Sequence, residues 1–156
     1  MAVISGINTD ISHIKLNTEQ SVNYEEKLIF IKLFCKMIKA DGVIEASELD
    51  FLNIIAKHFG VEKAIIVDIV KSVGNIDYIA EARKITNRQH ALELIKELCV
   101  LANVDQSMDD AELDIIADVA EAMNIEEQKV IAINRFVLDS LILNKVGQSI
   151  LEKANG

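Results

Sequence analysis

"KADGVIEASELDF", residues 39–51, and "NVDQSMDDAELDI", residues 103–115, are one short acidic pattern written twice, 64 residues apart. Each follows a run whose apolar positions recur every three or four residues, and each opens another such run. Upstream of the first, Leu28, Ile31, Phe34, Cys35 and Ile38 mark one face of an amphipathic helix over 24–39. The stretch "ADG" ends it, because Gly42 takes positive φ at little steric cost. Downstream, Leu49, Leu52, Ile55, Ala56 and Phe59 predict a helix over 46–59, which Gly60 closes. A third helix follows over 61–73, with Ile66, Ile69, Val70 and Val73 inward.

The second pattern sits in the same setting. A bridge over 75–87 has room for a short helix. Residues 88–103 then make a helix with Leu92, Ile95, Leu98, Cys99 and Ala102 inward, 110–123 make the next, and 126–143 make a long last one. Shifted by 64, the halves align without gaps: Leu28, Ile31, Lys32, Cys35, Asp41, Glu48, Leu49, Asp50, Ala56 and Glu62 meet identical residues from Leu92 to Glu126. Apolar spacing alone is shared by any two amphipathic helices. Shared Asp, Cys and Glu in one register point to a duplicated three-helix unit, from about 24–74 and 88–143. Two copies are too few for an open solenoid. The expected fold is therefore all-α: one bundle of about seven helices, built from two repeats related by a pseudo-twofold axis. Residues 1–23 are expected as an unassigned N-terminal arm and 144–156 as a C-terminal tail.

Composition agrees. The chain has 156 residues, 51% of them hydrophobic, no proline and 6 glycines. That is enough for one core, without the commonest helix breaker. A net charge of −9 and a pI of about 4.8 argue against nucleic acid and against anionic membrane surfaces. The first residues lack the basic region of a signal peptide, and no apolar run reaches the roughly 18 residues of a membrane span. The two cysteines make neither a disulfide scaffold nor a metal knuckle. A cytoplasmic protein is the default expectation.

The arrangement Ala40, Asp41, Gly42, Ile44 and Glu48, at the end of one helix and the start of the next, resembles the TerB-like domain. That family is named from tellurite resistance and also occurs beside J-domains in membrane-anchored co-chaperones. The second copy is Asp105, Met108 and Glu112, with Gln106 where the family has glycine. The resemblance spans roughly 24–143. It implies an all-helical fold, a role in metal-related stress response, acidic residues as a cation site, and protein partners that include the cytoplasmic side of a membrane-protein complex. A J-domain role is excluded, since its His-Pro-Asp signature needs a proline and the chain has none.

Two readings of the acidic turns stay open. In the first they are caps. With Asp109 as N-cap, Glu112 stands at the third helical position of a capping box, and Met108 and Leu113 have hydrophobic-staple spacing. Glu45, Glu48, Ile44 and Leu49 repeat this in the first copy. Such caps contribute on the order of 1–2 kcal/mol per helix. In the second reading Asp41, Glu45, Glu48, Asp105, Asp109 and Glu112 hold a divalent cation. Clustered carboxylates suit calcium or magnesium, which take several oxygen ligands. Neither turn is an EF-hand, because apolar Val43 and Ile44 occupy the middle of the first, so such a site would be weak and partly hydrated.

No other constellation carries chemistry. Cys35 and Cys99 lie on apolar faces and read as small core residues. His13, His58 and His90 form no pair and read as surface or helix-end residues. No catalytic residue set, phosphate-binding glycine loop or cofactor motif is present, so a non-enzyme is expected. The last helix is apolar on more than one face, which means central burial, the simpler expectation, or a partner such as a second copy of the chain.

Overall fold

The computed structural model describes residues 22–39, 46–103 and 110–155. Among them lie seven α-helices and no strand. They are α1 (Tyr24–Ile38), α2 (Ala46–Phe59), α3 (Lys63–Ser72), α4 (Tyr78–Arg83), α5 (Arg88–Asn103), α6 (Asp110–Ala122) and α7 (Glu127–Asn155), with a 3₁₀ turn at Val73–Asn75 after α3.

The helices start where the chain supplies caps. Asn23 accepts from the Glu26 amide at 2.8 Å, and the Glu26 carboxylate accepts from the Asn23 amide at 3.3 Å, a complete capping box. Asn87 caps α5 in the same way, accepting from the His90 amide at 3.1 Å. Asp77 caps α4 through the Ala80 amide. At the other end, Gly60 closes α2 with φ 73°. The Val61 amide donates to Ala56 O at 2.8 Å there, the six-to-one bond of a Schellman motif.

The core lies between α1 and α5. Helix α1 buries Ile29, Phe30, Ile31, Leu33, Phe34, Cys35 and Met37, which is more than one face. Phe30 meets Phe34 and Phe59 edge-on, with ring centroids 6.5 and 6.2 Å apart. Helix α5 buries Leu94, Ile95, Leu98 and Cys99 on the same continuous core. Helices α2, α3 and α4 pack on α1, while α6 and α7 pack on α5, and α4 reaches across to α6.

Two expectations change. The last helix does not stop near 143 but runs to Asn155. Nothing in "NKVGQSILEKAN" breaks it, because a lone Gly147 weakens a helix by only about 1 kcal/mol and proline is absent. Nor is α7 the central helix. Among its described apolar side chains only Val137 is fully buried, while Ile131, Phe136, Leu143, Ile150 and Leu151 are each at least 60% exposed. Its first ten residues stand 64 positions after α3, a peripheral helix that buries only Ile66 and Ile69. Its start inherits that peripheral place, and the centre falls to α1 and α5.

Candidate functional site

The two acidic stretches connect α1 to α2 and α5 to α6, pairs of helices that pack on each other. Asp41, Glu45, Asp105 and Asp109 lie outside the described residues, and so do the turns themselves. Glu48 stands in the first turn of α2 and Glu112 in the first turn of α6, where Glu112 is half-buried and engaged with a neighbour. The helices are described from Ala46 and from Asp110 onward. Among the described residues no group of three or more His, Cys, Asp or Glu side chains is arranged to hold a metal ion.

Around these turns the backbone matches itself at a spacing of 64. Asn23 and Asn87 cap α1 and α5 through equivalent bonds. The Val61→Ala56 bond recurs as Ile125→Ala120 at 2.9 Å, and the positive φ of Gly60 recurs at Asn124, with φ 59°. The Ile65 and Ile66 amides bond to Glu62 O as the Lys129 and Val130 amides bond to Glu126 O. Glu26 and His90, themselves 64 apart, meet each other: His90 Nδ1 lies 2.8 Å from Glu26 Oε2. One carboxylate oxygen of Glu26 thus caps its own helix while the other binds α5. His90, expected at the surface or at a helix end, stands in the first turn of α5 and is buried there, 8% exposed.

Helix α5 carries a second acid that periodicity missed. Glu97 is 2% exposed, and its Oε1 lies 3.9 Å from Lys96 Nζ without a hydrogen bond. Burial pushes its carboxyl up to about 8, against the pull of Lys96 and with the help of nearby Glu93. The sequence held a signal for it: 97 is 64 past Leu33, a core position, so an acid there stands in a leucine's place. Cys35 and Cys99 are buried, and burial raises both thiols to about 12. They pack as apolar residues and present no thiolate near neutral pH.

Polar contacts tie the halves together around α4. Tyr78 donates to Asp118 Oδ2 at 2.8 Å, and this bond raises the phenol's pKa. Lys32 pairs with Glu81 at 3.3 Å, and the Lys36 ammonium lies 5.6 Å from the Tyr78 ring centre. Arg88 pairs with Glu126 at 2.7 Å, which lowers the Glu126 pKa. Asn103, at the end of α5, donates to Cys99 O and to Asn134 Oδ1 of α7.

An open apolar groove of about 780 Å³ lies between α6 and α7. Ile116, Ala120, Ile125 and Val130 line it, with Ala117 and Ile131 at its sides. Asp114, Glu121, Glu126 and Glu127 also border it, so an apolar floor carries an acidic rim. Sequence reasoning did not find this groove, because it forms between two helices whose crossing no local pattern fixes. Among the described residues no helix is long and apolar enough to cross a membrane.

Residues 68–135 match the family described as tellurite resistance protein TerB. The match begins in α3 and ends in α7, so it takes in the second acidic hairpin and the groove, while the first hairpin precedes it. No curated protein matches the chain, and no solved structure does.

Proposed function

We propose, from the premise that this chain carries a TerB-like domain over residues 68–135, that it is a non-enzymatic cytoplasmic module of a tellurite- or metal-stress response that works by docking protein partners. The groove between α6 and α7 carries this reading. Its apolar floor suits the anchors of an amphipathic helix, and its acidic rim suits lysine or arginine beside them. Glu126 is already paired with Arg88, which leaves Asp114, Glu121 and Glu127 for a basic partner. Such a segment could belong to a soluble protein or to the cytoplasmic part of a membrane-protein complex. The test is titration of a synthetic leucine–lysine amphipathic peptide, followed by NMR shifts. Shifts confined to the groove, weakened by salt and abolished in Ala117→Arg, are expected. Shifts spread over the acidic surface and indifferent to Ala117→Arg would remove the reading.

The second reading is a weak calcium or magnesium site at Asp41, Glu45, Glu48, Asp105, Asp109 and Glu112. It draws on the matched helix frames: the helix pairs that the two stretches join start and end on equivalent bonds 64 residues apart. We read the halves as copies related by a pseudo-twofold axis passing near the Glu26–His90 contact, because residues at equivalent positions meet where such an axis runs. Calorimetry with each ion decides between a site and mere caps. Heat at millimolar ion, lost in Asp41→Ala and Asp105→Ala, supports the site. No heat, with equal destabilisation of both variants whether or not the ion is present, leaves a helical interaction domain whose acidic turns only cap.

A further inference from the structure

The second half of α7 carries an apolar seam that none of the described residues covers. Phe136, Leu143 and Ile150 recur every seven residues and are 62%, 73% and 61% exposed. Ser140 and Gly147 fall between them, so the spacing reads four, three, four, three, the seam of a paired helix. Val146 and Leu151 flank it, 50% and 65% exposed. Large and small side chains therefore alternate along one line.

Gly147 is unexplained within one molecule. A Cβ added there would meet no atom within 4 Å, and its backbone is not in the left-handed region. Glycine inside an exposed helix is less favourable than alanine. Its missing side chain spares no clash with the described residues, but it would let the backbone of a second helix approach closely.

We propose that two copies of this chain pair through this seam as an antiparallel helix dimer, with Leu143 of each copy over the partner's Gly147. The seam is complementary to itself in that orientation alone. Positions that sum to 290 face each other, so Leu143 meets the partner's Gly147 and Ile150 meets the partner's Ser140. Parallel pairing would set leucine on leucine and glycine on glycine, with a clash at one layer and a gap at the next. Antiparallel pairing also holds the two acidic bodies at opposite ends of the shared helices.

Charge favours a second copy over another occupant. The chain carries −9, so most of its surface repels its like. From Ser140 to Leu151 the only charged residue is Lys145, two positions past Leu143 and thus about 200° round the helix from it. A charged partner gains nothing on such a strip, whereas a like-charged copy meets its least repulsion there. Phe136, Leu143, Val146, Ile150 and Leu151 each expose on the order of 100 Å² of apolar surface. Pairing would remove about 1,000 Å² in total, the lower bound of a specific interface, so the dimer is weak and concentration-dependent.

Sedimentation of the full chain from roughly 10 μM to 1 mM tests this, since weak dimers dissociate in that range. A monomer–dimer equilibrium is expected, and Leu143→Asp and Ile150→Asp should make it monomeric with unchanged circular dichroism, both sites being exposed. Gly147→Leu is the sharper variant. On an uncovered helix it would raise the melting temperature and leave the mass alone; under the proposal it weakens the dimer at least tenfold. Orientation is read by mild oxidation: Leu143→Cys mixed with Gly147→Cys should cross-link, and Leu143→Cys alone should not. A monomer at every concentration, a dimer indifferent to Leu143→Asp, or self-linking of Leu143→Cys overturns the proposal. So does a chain that dimerises only after residues 1–21 are removed, which would make that segment the occupant. The α6–α7 groove lies elsewhere, so its fate in the peptide titration is independent of this result.

Discussion

Glu26 does two jobs with one carboxylate, capping α1 and holding His90 of α5. Both side chains are nearly buried, at 12% and 10% exposed. Removing one leaves the other desolvated, so His90→Ala should cost about 1–3 kcal/mol in urea unfolding, while an exposed pair such as Arg135 with Asp139 should contribute well under ~1 kcal/mol. Glu97 acts in the opposite sense. Its carboxyl rises from an ordinary 4.5 to about 8, so the native state keeps a proton that the unfolded chain releases between those values. Its contribution to stability is full below pH 4.5, declines as pH rises at up to about 1.4 kcal/mol per unit, and is gone above pH 8. Glu97→Gln should remove this decline, so the variant's stability advantage should grow from pH 5 to pH 8. Equal differences at both pH values would contradict it. Neither residue was legible from periodicity, which ranks positions by apolar character and is blind to a charged group turned inward. Their positions in the 64-residue register were the readable clue.

At the scale of elements, the sequence read best where apolar spacing was regular and caps were strong. The helices expected at 46–59 and 88–103 are α2 and α5, and α1 ends one residue before its expected limit. The end of α6 also falls one residue before its expected limit, with Asn124 rather than glycine taking the left-handed turn. Asparagine tolerates that region better than other side chains, though less well than glycine. Gly60→Ala and Asn124→Ala should therefore each cost about 1–2 kcal/mol, whereas Asn124→Gly should be neutral or slightly stabilising. Open space surrounds Gly60, so any cost there is one of backbone strain and not of crowding. Thermal melts of the three variants separate the cases. Helix α7 shows what spacing cannot say: its apolar content was plain, but whether core or solvent met it depended on where the other helices lay.

For the molecule as a whole, the helical class and the order of helices were legible, and the two central helices were not. The charge-free flank of α1 and the matching flank of α5 pointed inward as any amphipathic faces would, without revealing that they pack on each other. The groove between α6 and α7 was out of reach for the same reason, as was the burial of Asn103 against Asn134. All of these are products of helix crossing, which follows from the sum of many side-chain fits. The candidate cation ligands were legible as a cluster, while their spacing served caps and coordination equally well.

That α1 and α5 come from different halves of the sequence yet share one interior bears on how the protein could be cut. A recombinant piece trimmed to 68–135 would bring α5 without the helix that shields it, leaving Leu94, Ile95 and Leu98 to water. Such a piece should be insoluble or molten. Nicking the exposed Lys84, just before Asn87 caps α5, should instead yield two peptides that cling together and can be reconstituted after separation, each serving as the other's template.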